Sequence, residues 1–316
     1  MPHGNRLKPL SVSGTCKQCS SPQPFDAELA YRRLMRKHTE LATTVSEYMS
    51  QAGLNRDIRT ANALMLAERI DRIVGGQLAN ADEYPDCCLV GRQNANGTFR
   101  WFCTGVLIHS RVVLTAGHCL IPDHIANSVA LMAEDQSDLT NAEVINIQKM
   151  IAHPLYVQSH QIHDVSVIIL KEDSESAKPA PLATKEELEK AQKTTLVGFG
   201  NNDVASTRGF GIKRKVTVDI TEIRRSTGGD LASVEHSLGF DATCEFVAGG
   251  KGYDSCNGDS GGPAYISLNG TMKVAGLTSR SVEEADQPCG EGGIYSRIDA
   301  NMDFVKKTAA DAGISM

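Results

Sequence analysis

The chain has 316 residues, 41% of them hydrophobic and 22% charged, which is ordinary for a folded globular protein and excludes a disordered or fibrous one. No apolar run approaches the roughly 18 residues of a membrane-spanning helix, so the sequence excludes a membrane span. The net charge of -6 is unevenly distributed: residues 1–72 have 11 Lys/Arg and 7 Asp/Glu, whereas residues 73–316 have 21 and 31. This acidic body argues against nucleic acid as a partner, and the basic leader is compatible with docking on the body.

The leader, residues 1–72, is predicted to be largely helical. Residues 1–24 are rich in Ser, Pro and Gly and are typical of a loop. Apolar residues at helical spacing predict a helix from Asp26 to about Gln51, and a second helix is expected near 57–69. The two helices are expected to bury their apolar faces against each other; a helical interaction module with its own function is the alternative. Met1–Gly14 lacks the continuous apolar core of a secretion signal.

After Arg72 the pattern changes to short runs rich in β-branched residues, separated by turn residues. The predicted strands are Cys88–Val90, Gly105–Ile108, Val112–Thr115, Val165–Leu170, Thr195–Val197, Lys215–Ile220 and Val274–Thr278. Helical character returns at roughly Ala300–Ala310. This order predicts an all-β fold of antiparallel barrels with a C-terminal helix.

Nine cysteines are many for a cytosolic enzyme, and the odd count leaves at least one thiol without an intramolecular partner. We therefore expect an oxidising, secreted location, either extracellular or periplasmic. Cys16 and Cys19 could form a local disulfide, half of a metal site or a tether to the body. Because a second Cys-x-x-Cys pair is missing, no metal site is predicted.

Three segments carry residues for nucleophilic catalysis. His118 ends a β-type run, Asp164 directly precedes an apolar run, and Ser260 lies in the sequence Gly-Asp-Ser-Gly-Gly-Pro at 258–263. A serine hydroxyl is a poor nucleophile at neutral pH, so it needs a base within hydrogen-bond reach. That base in turn needs a buried acceptor that fixes its tautomer and stabilises its charged form.

These segments, in the order His, Asp, Ser, resemble the trypsin/chymotrypsin family of serine proteases closely. With the sequence Arg-Ile-Val-Gly-Gly at 72–76, the resemblance covers residues 73–316. It implies two packed antiparallel β-barrels with the active site in the cleft between them. It also implies that His118 is the general base, Asp164 its orienting partner and Ser260 the nucleophile. The N–H groups of Gly258 and Ser260 would form the oxyanion hole.

The resemblance further implies that the chain is a zymogen, with residues 1–72 as a pro-segment and 73–316 as the protease domain. Cleavage between Arg72 and Ile73 by an activating protease would create an ammonium group on Ile73. That group would turn inward and pair with Asp259, because a buried carboxylate without a partner is costly. The oxyanion hole and the specificity pocket would become ordered only after cleavage.

By the same resemblance, Asp254 lies at the base of the primary specificity pocket, where it would pair with a substrate Arg or Lys. Gly293 would keep this pocket open and Ser255 would add a polar contact to its wall. Ser279 and Ser281 belong to the strand that pairs with the substrate, although Ser281 stands where the family has glycine. Arg280 replaces a family tryptophan, and it either favours acidic substrate residues upstream of the cleaved bond or is solvated.

Two disulfides are implied by the resemblance, Cys103–Cys119 and Cys256–Cys289. Cys244 sits where the family has a cysteine, but its usual partner is absent from residues 215–243. Cys87 and Cys88 match no cysteine of the family.

The expected reaction is peptide hydrolysis after Arg or Lys through an acyl-enzyme, and it needs no cofactor. Expected partners are protein or peptide substrates, the activating protease and protein inhibitors. The alternative is a catalytically weak homologue that acts as a binding module. The acidic stretch Glu134–Glu143 falls where some relatives bind calcium, but its spacing favours a solvated loop.

Overall fold

The computed structural model describes residues 76–94, 98–120, 126–156, 158, 161–203, 209–223, 235 and 237–316. The predicted leader helices, Cys16, Cys19 and the Arg72–Ile73 junction lie outside the described residues.

The described chain starts with a short strand, β1 (Gln77–Leu78), and then forms a closed antiparallel barrel of six strands. These are β2 (Cys87–Gln93), β3 (Phe99–His109), β4 (Val112–Thr115), β5 (Ser128–Leu131), β6 (Glu143–Ala152) and β7 (Ser166–Leu170). The order around the barrel is β2-β3-β4-β7-β6-β5, and the pairing of β2 with β5 closes it. Strand β7 is buried along its whole length, which explains its unbroken apolar run.

A second barrel follows, again with six antiparallel strands. These are β8 (Lys193–Gly198), β9 (Arg214–Glu222), β10 (Glu245–Ala248), β11 (Pro263–Leu268), β12 (Thr271–Ser281) and β13 (Gly293–Arg297). The order is β9-β10-β13-β12-β11-β8, and the pairing of β8 with β9 closes the ring. Strand β1 pairs antiparallel with the first two residues of β9. The predicted two-barrel, all-β fold is confirmed.

Two of the helical segments in the described part of the chain lie beside the barrels. Helix α1 (Lys185–Lys190) begins at a capping box on Thr184, and α2 (Ile298–Asp311) contains the predicted C-terminal helix. Val305 and Ala309 on α2 are completely buried in the same hydrophobic cluster as residues of both barrels. Helix α2 also reaches the first barrel through Asn301, whose Oδ1 lies 3.0 Å from Nδ1 of His163. The C-terminal helix thereby supports the loop that carries Asp164.

The segment that follows β1 is held by a fully buried lysine. Lys213 Nζ donates hydrogen bonds of 3.2 Å to the carbonyl oxygens of Ala81 and Tyr84, and burial lowers the pKa of this ammonium. Asp86 lies close enough to favour the charged form of Lys213, and Asp86 itself accepts a hydrogen bond from the hydroxyl of Tyr265. Residues 81–86 are therefore fixed against the second barrel.

None of the helices in the described part of the chain is long and apolar enough to cross a membrane.

Candidate active site

The first barrel places His118 and Asp164 side by side at the ends of two paired strands. Thr115, the last residue of β4, pairs with Ser166, the first residue of β7. The backbone N–H of His118 donates to Oδ1 of Asp164 at 2.8 Å, and ring Nδ1 of His118 lies 2.8 Å from Oδ2. The hydroxyl of Ser279 donates to Oδ2 at 2.6 Å. Asp164 is completely buried, and this set of donors stabilises its carboxylate in one orientation.

The second barrel brings Ser260 to the same place, in the loop between β10 and β11. The carbonyl oxygen of Ser260 accepts a hydrogen bond of 2.9 Å from the N–H of Thr104 on β3. It also lies 3.8 Å from Sγ of Cys119, the residue that follows His118. The next residue, Gly261, has φ +77°, and a Cβ atom there would lie 2.0 Å from Oγ1 of Thr115. Only glycine allows the two barrels to approach this closely.

Two backbone N–H groups beside Ser260 are available to a ligand. Gly258 has φ +98°, a conformation that favours glycine, and its carbonyl oxygen accepts from the hydroxyl of Thr104 at 2.8 Å. Neither the N–H of Gly258 nor that of Ser260 donates a hydrogen bond to another of the described residues. Two free N–H groups next to a nucleophile can stabilise negative charge that develops on a carbonyl oxygen.

The carboxylate of Asp259 is buried directly behind these groups. It accepts the N–H of Gly200 at 2.7 Å and the N–H of Cys256 at 2.8 Å. Burial nevertheless raises the pKa of Asp259 to about 7, because two neutral donors only partly replace the lost water. Within the described residues no Lys, Arg or His forms an ion pair with it.

A second buried carboxylate, Asp254, lies next to the Cys256–Cys289 disulfide. Its Oδ1 accepts from the N–H of Ser255 at 2.7 Å and from the hydroxyl of Tyr295 at 2.9 Å. Burial raises the pKa of Asp254 to about 6. A Cβ on Gly293 would lie 2.8 Å from Oδ1, so a larger residue at 293 would occupy the space over the carboxylate.

Tyr295 was missed by the sequence analysis although a signal was available. It stands two residues after Gly293 on β13, and residues at this spacing point to the same face of a strand. Its hydroxyl is fully buried and bridges Asp254 and Ser255, the latter at 3.0 Å.

Arg280 on β12 follows neither of the two alternatives predicted from the sequence, which were a contact with acidic substrate residues and a solvated side chain. Its guanidinium forms two hydrogen bonds with the buried carboxylate of Glu245, of 2.6 and 3.0 Å. It also donates to the carbonyl oxygen of Gly239 at 2.8 Å. The charge is consequently neutralised inside the domain instead of being offered to a substrate or to water. The next residue, Ser281, is exposed, and its hydroxyl donates to the carbonyl oxygen of Pro288 at 3.1 Å.

Of the remaining cysteines of the described chain, two form a disulfide and three are buried thiols. A disulfide joins Cys103 to Cys119, next to His118, whereas Cys87, Cys88 and Cys244 are free. Burial raises the pKa of each free thiol, including that of Cys244 to about 12, which makes all three unreactive at neutral pH.

The acidic stretch Glu134–Glu143 uses its carboxylates within the protein. Oδ1 of Asp135 accepts from the backbone and hydroxyl of Ser137, and Glu143 accepts from the hydroxyls of Ser174 and Ser176. In the described ranges no group of three His, Cys, Asp or Glu side chains is arranged to hold a metal ion.

Comparison with known proteins gives a consistent result. A family model described as Trypsin matches residues 73–305. A tryptase of Mus musculus is 31% identical over 74% of this chain and 87% of its own length. CLIP domain-containing serine protease B4 of Anopheles gambiae is 28% identical over 75% of this chain and 70% of its length. Coagulation factor IX of Oryctolagus cuniculus is 27% identical over 85% of this chain and 96% of its length.

Proposed function

Because the chain belongs to the trypsin family of serine proteases, we propose that it is an endopeptidase made as a zymogen and specific for Arg or Lys. Residues 1–72 are its pro-segment and residues 73–316 its protease domain. The observation that carries the specificity is the buried Asp254 under Gly293, in the same loop as Ser260. An alkyl guanidinium or ammonium is the ligand that compensates a desolvated carboxylate at the end of a pocket.

In the proposed reaction Ser260 Oγ attacks the carbonyl carbon of the scissile peptide bond, and His118 takes the serine proton through Nε2. Asp164 keeps the ring in the required tautomer through the 2.8 Å contact with Nδ1 and stabilises the imidazolium. The N–H groups of Gly258 and Ser260 bind the oxyanion. His118 then gives the proton to the leaving amine. In the second half of the reaction His118 takes a proton from water, which attacks the acyl carbon, and then returns a proton to Ser260 Oγ as the acyl group leaves.

The substrate residue before the scissile bond would place its cationic group on Asp254, with Ser255 on the pocket wall. Residues Ser279–Ser281 would pair with the extended substrate backbone, because they end a strand whose edge borders the site. Ser279 has a second role, since its hydroxyl donates to Asp164. Arg280 stabilises this strand from behind through Glu245.

Activation follows from the state of Asp259. A carboxylate whose pKa is about 7 in its buried position is compensated when an ammonium group arrives next to it. Cleavage between Arg72 and Ile73 would supply that group on Ile73. The new ion pair would hold residues 256–260 in the conformation that presents the two N–H groups of the oxyanion hole.

The proposed partners are protein or peptide substrates, an activating protease and protein inhibitors. Proteases named for blood coagulation and for CLIP domains among the relatives favour a role within a proteolytic cascade. The two disulfides favour an oxidising compartment, which is the extracellular space or a periplasm.

Cleavage of the full chain after Arg72, followed by titration of Ser260 with an active-site reagent and profiling on a peptide library, tests the proposal. We expect stoichiometric labelling only after cleavage, and products that end in Arg or Lys. The Ser260→Ala protein is the control for labelling. A cleaved chain that binds peptides but is not labelled would instead be a binding module on a protease scaffold.

A further inference from the structure

The hairpin between β11 and β12 carries a motif that the proposed peptidase reaction does not use. Its turn begins the sequence Asn269-Gly270-Thr271, which fits the acceptor sequence of N-linked glycosylation, Asn-X-Ser/Thr with X other than proline. The chain has one other acceptor sequence, at 96–98, and its asparagine lies outside the described residues. The surroundings of Asn269 can therefore be compared with what an attached oligosaccharide requires.

The turn itself is a two-residue hairpin loop. Leu268, the last residue of β11, pairs with Thr271, the first residue of β12, so only Asn269 and Gly270 lie between the strands. Their φ angles are +49° and +80°, as a type I′ turn requires, and Asn-Gly is the sequence that this turn favours. Turn geometry thus accounts for Asn269 and Gly270, but it gives no role to the side chain of Thr271.

The side chains of the motif are accessible and unpaired. Asn269, Gly270 and Thr271 are all exposed, and within the described part of the chain neither the amide of Asn269 nor the hydroxyl of Thr271 forms a hydrogen bond. In the other acceptor sequence, by contrast, Oγ1 of Thr98 accepts from Nδ2 of Asn94 at 3.0 Å. A Cβ atom on Gly270 would meet no atom within 4 Å, so the space beside the turn is open to a bulky group on Asn269.

The turn lies at the far end of β11 from the proposed active site. Strand β11 begins at Pro263, close behind Ser260 in the sequence, and its six residues span roughly 20 Å at about 3.3 Å per residue. The turn comes directly before β12, whereas Ser279–Ser281, which are proposed to pair with the substrate, end that strand. An oligosaccharide on Asn269 would consequently leave the cleft open to a protein substrate.

We propose that Asn269 is an N-glycosylation site. This inference rests on the export of the chain that the proposed function includes, and it does not depend on catalysis by Ser260. The donor is an oligosaccharide linked through a diphosphate to a lipid. The amide nitrogen of Asn269 forms a bond to C1 of the first sugar, and the bond from C1 to the diphosphate oxygen breaks. The lipid diphosphate leaves with that electron pair, and the amide gives one proton to a base of the transferase.

The test uses the full chain, secreted from a eukaryotic host that glycosylates a reporter glycoprotein in the same culture. The substitution Asn96→Gln is present in every protein, so that Asn269 is the only acceptor left. Treatment with a peptide N-glycosidase in heavy-oxygen water converts a glycosylated asparagine to an aspartate that carries the heavy oxygen. Peptide mass spectrometry then distinguishes a former glycan from spontaneous deamidation of the Asn-Gly sequence, which incubation without the enzyme measures.

We expect most of the secreted chains to carry one oligosaccharide, which Asn269→Gln and Thr271→Ala should both lose. Thr271→Ser keeps the hydroxyl and should keep the oligosaccharide. Asn146→Gln is the matched control, because Asn146 on β6 is exposed and stands outside an acceptor sequence. After cleavage at Arg72, the kcat/KM of Asn269→Gln on an Arg peptide should equal that of the glycosylated enzyme, since the turn is distant from the cleft.

The outcomes separate this inference from the proposed function. If the reporter is glycosylated but the secreted chain shows no enzyme-dependent heavy oxygen at Asn269, the inference is wrong, whether or not the chain cleaves Arg peptides. An oligosaccharide that persists in Thr271→Ala also contradicts it, because the acceptor sequence would then not direct the attachment. If the oligosaccharide is present but the cleaved chain hydrolyses no peptide, the proposed function is wrong and the glycosylation site stands.

Discussion

The two barrels contribute to the active site in different ways. The first barrel supplies His118 and Asp164 from the ends of β4 and β7, where strand pairing and the Cys103–Cys119 disulfide fix the backbone. The second barrel supplies Ser260, the free N–H groups and both buried carboxylates from one irregular loop, residues 249–262, between β10 and β11. This loop contains five glycines at positive φ, so few backbone hydrogen bonds of regular sheet support it.

This difference between the barrels indicates which half of the active site can regulate activity. In the first barrel the buried Asp164 has a complete set of donors among the described residues and depends on nothing further. In the second barrel burial raises the pKa of Asp254 and Asp259, so each carboxylate gains when a cation arrives. The acid–base half of the site is thus already assembled in the described residues, whereas under the proposed activation the substrate and the new N-terminus would complete the nucleophile half.

The largest effect is expected from the first barrel. Asp164→Asn should lower kcat by about 10⁴-fold, because an amide no longer fixes the tautomer of His118 that accepts the serine proton. Steady-state kinetics on an Arg peptide measures this loss. If the first-barrel half were dispensable, the loss would stay below tenfold. Thermal unfolding of the variant shows whether the fold is retained.

The second prediction concerns the pocket. Asp254→Ser should lower kcat/KM for Arg peptides roughly 30- to several-thousand-fold, because the guanidinium loses its buried partner. This loss corresponds to about 2–5 kcal/mol of transition-state stabilisation. The rate of acylation by p-nitrophenyl acetate should not change. The control is Asp303→Ser on the exposed face of α2. Full activity of Asp254→Ser on Arg peptides would remove the specificity assignment while leaving the nucleophile in place.

The third prediction separates the two halves directly. The uncleavable Arg72→Gln chain should be about 10²- to 10³-fold less active than the cleaved enzyme, the cost of losing one oxyanion-hole donor. Both chains are assayed on the same Arg peptide after treatment with the activating enzyme. Equal activities would show that the nucleophile loop is complete without the new N-terminus.

The smallest effect is a pH dependence. If a substrate Arg binds ionised Asp254 as proposed, the kcat/KM of an Arg peptide divided by that of p-nitrophenyl acetate should fall about tenfold per pH unit below pH 6. The division removes any pH effect on the chemical step, which both substrates share. Asp254→Ser should show a flat ratio, and a flat ratio in the unaltered enzyme would contradict the assignment.

The same carboxyl group affects stability with a defined sign. Burial raises the pKa of Asp254 from 3.8 to about 6, so between these values the folded chain holds more protons than the unfolded chain. The contribution of Asp254 to the free energy of unfolding therefore decreases as pH rises from 3.8 to about 6 and stays low above that. Asp254→Asn should remove this slope in urea unfolding experiments.

The sequence predicts the parts of the site that are local in the chain. His118 and Asp164 each adjoin an apolar β run, and the glycines around Ser260 stand next to it, so short motifs contain the information. The predicted strands are rich in β-branched residues, as β4 and β7 are. Strand β10, four residues in length, and β6, with its many exposed side chains, have too little pattern to be recognised.

Contacts between distant segments could not be predicted in this way. Glu245 neutralises Arg280 across 35 residues, and nothing near either residue indicates the other. Phe210 stands among glycines and polar residues that are typical of a loop, so its position against Gly258 appears only once the two segments are folded together. Whether a charged or aromatic side chain is paired, packed or exposed depends on its tertiary neighbours, and the local sequence does not identify those neighbours.

The Arg280–Glu245 pair has a consequence for how this protease can evolve. Replacing Arg280 alone would leave the buried carboxylate of Glu245 without its cationic partner, at a cost of about 3–5 kcal/mol, a large part of the stability of a typical domain. An apolar residue could therefore reach position 280 only if position 245 changed with it. We therefore expect the two positions to change together, so that Glu245 on β10 restricts which residues can stand at position 280 of β12, the strand proposed to pair with the substrate.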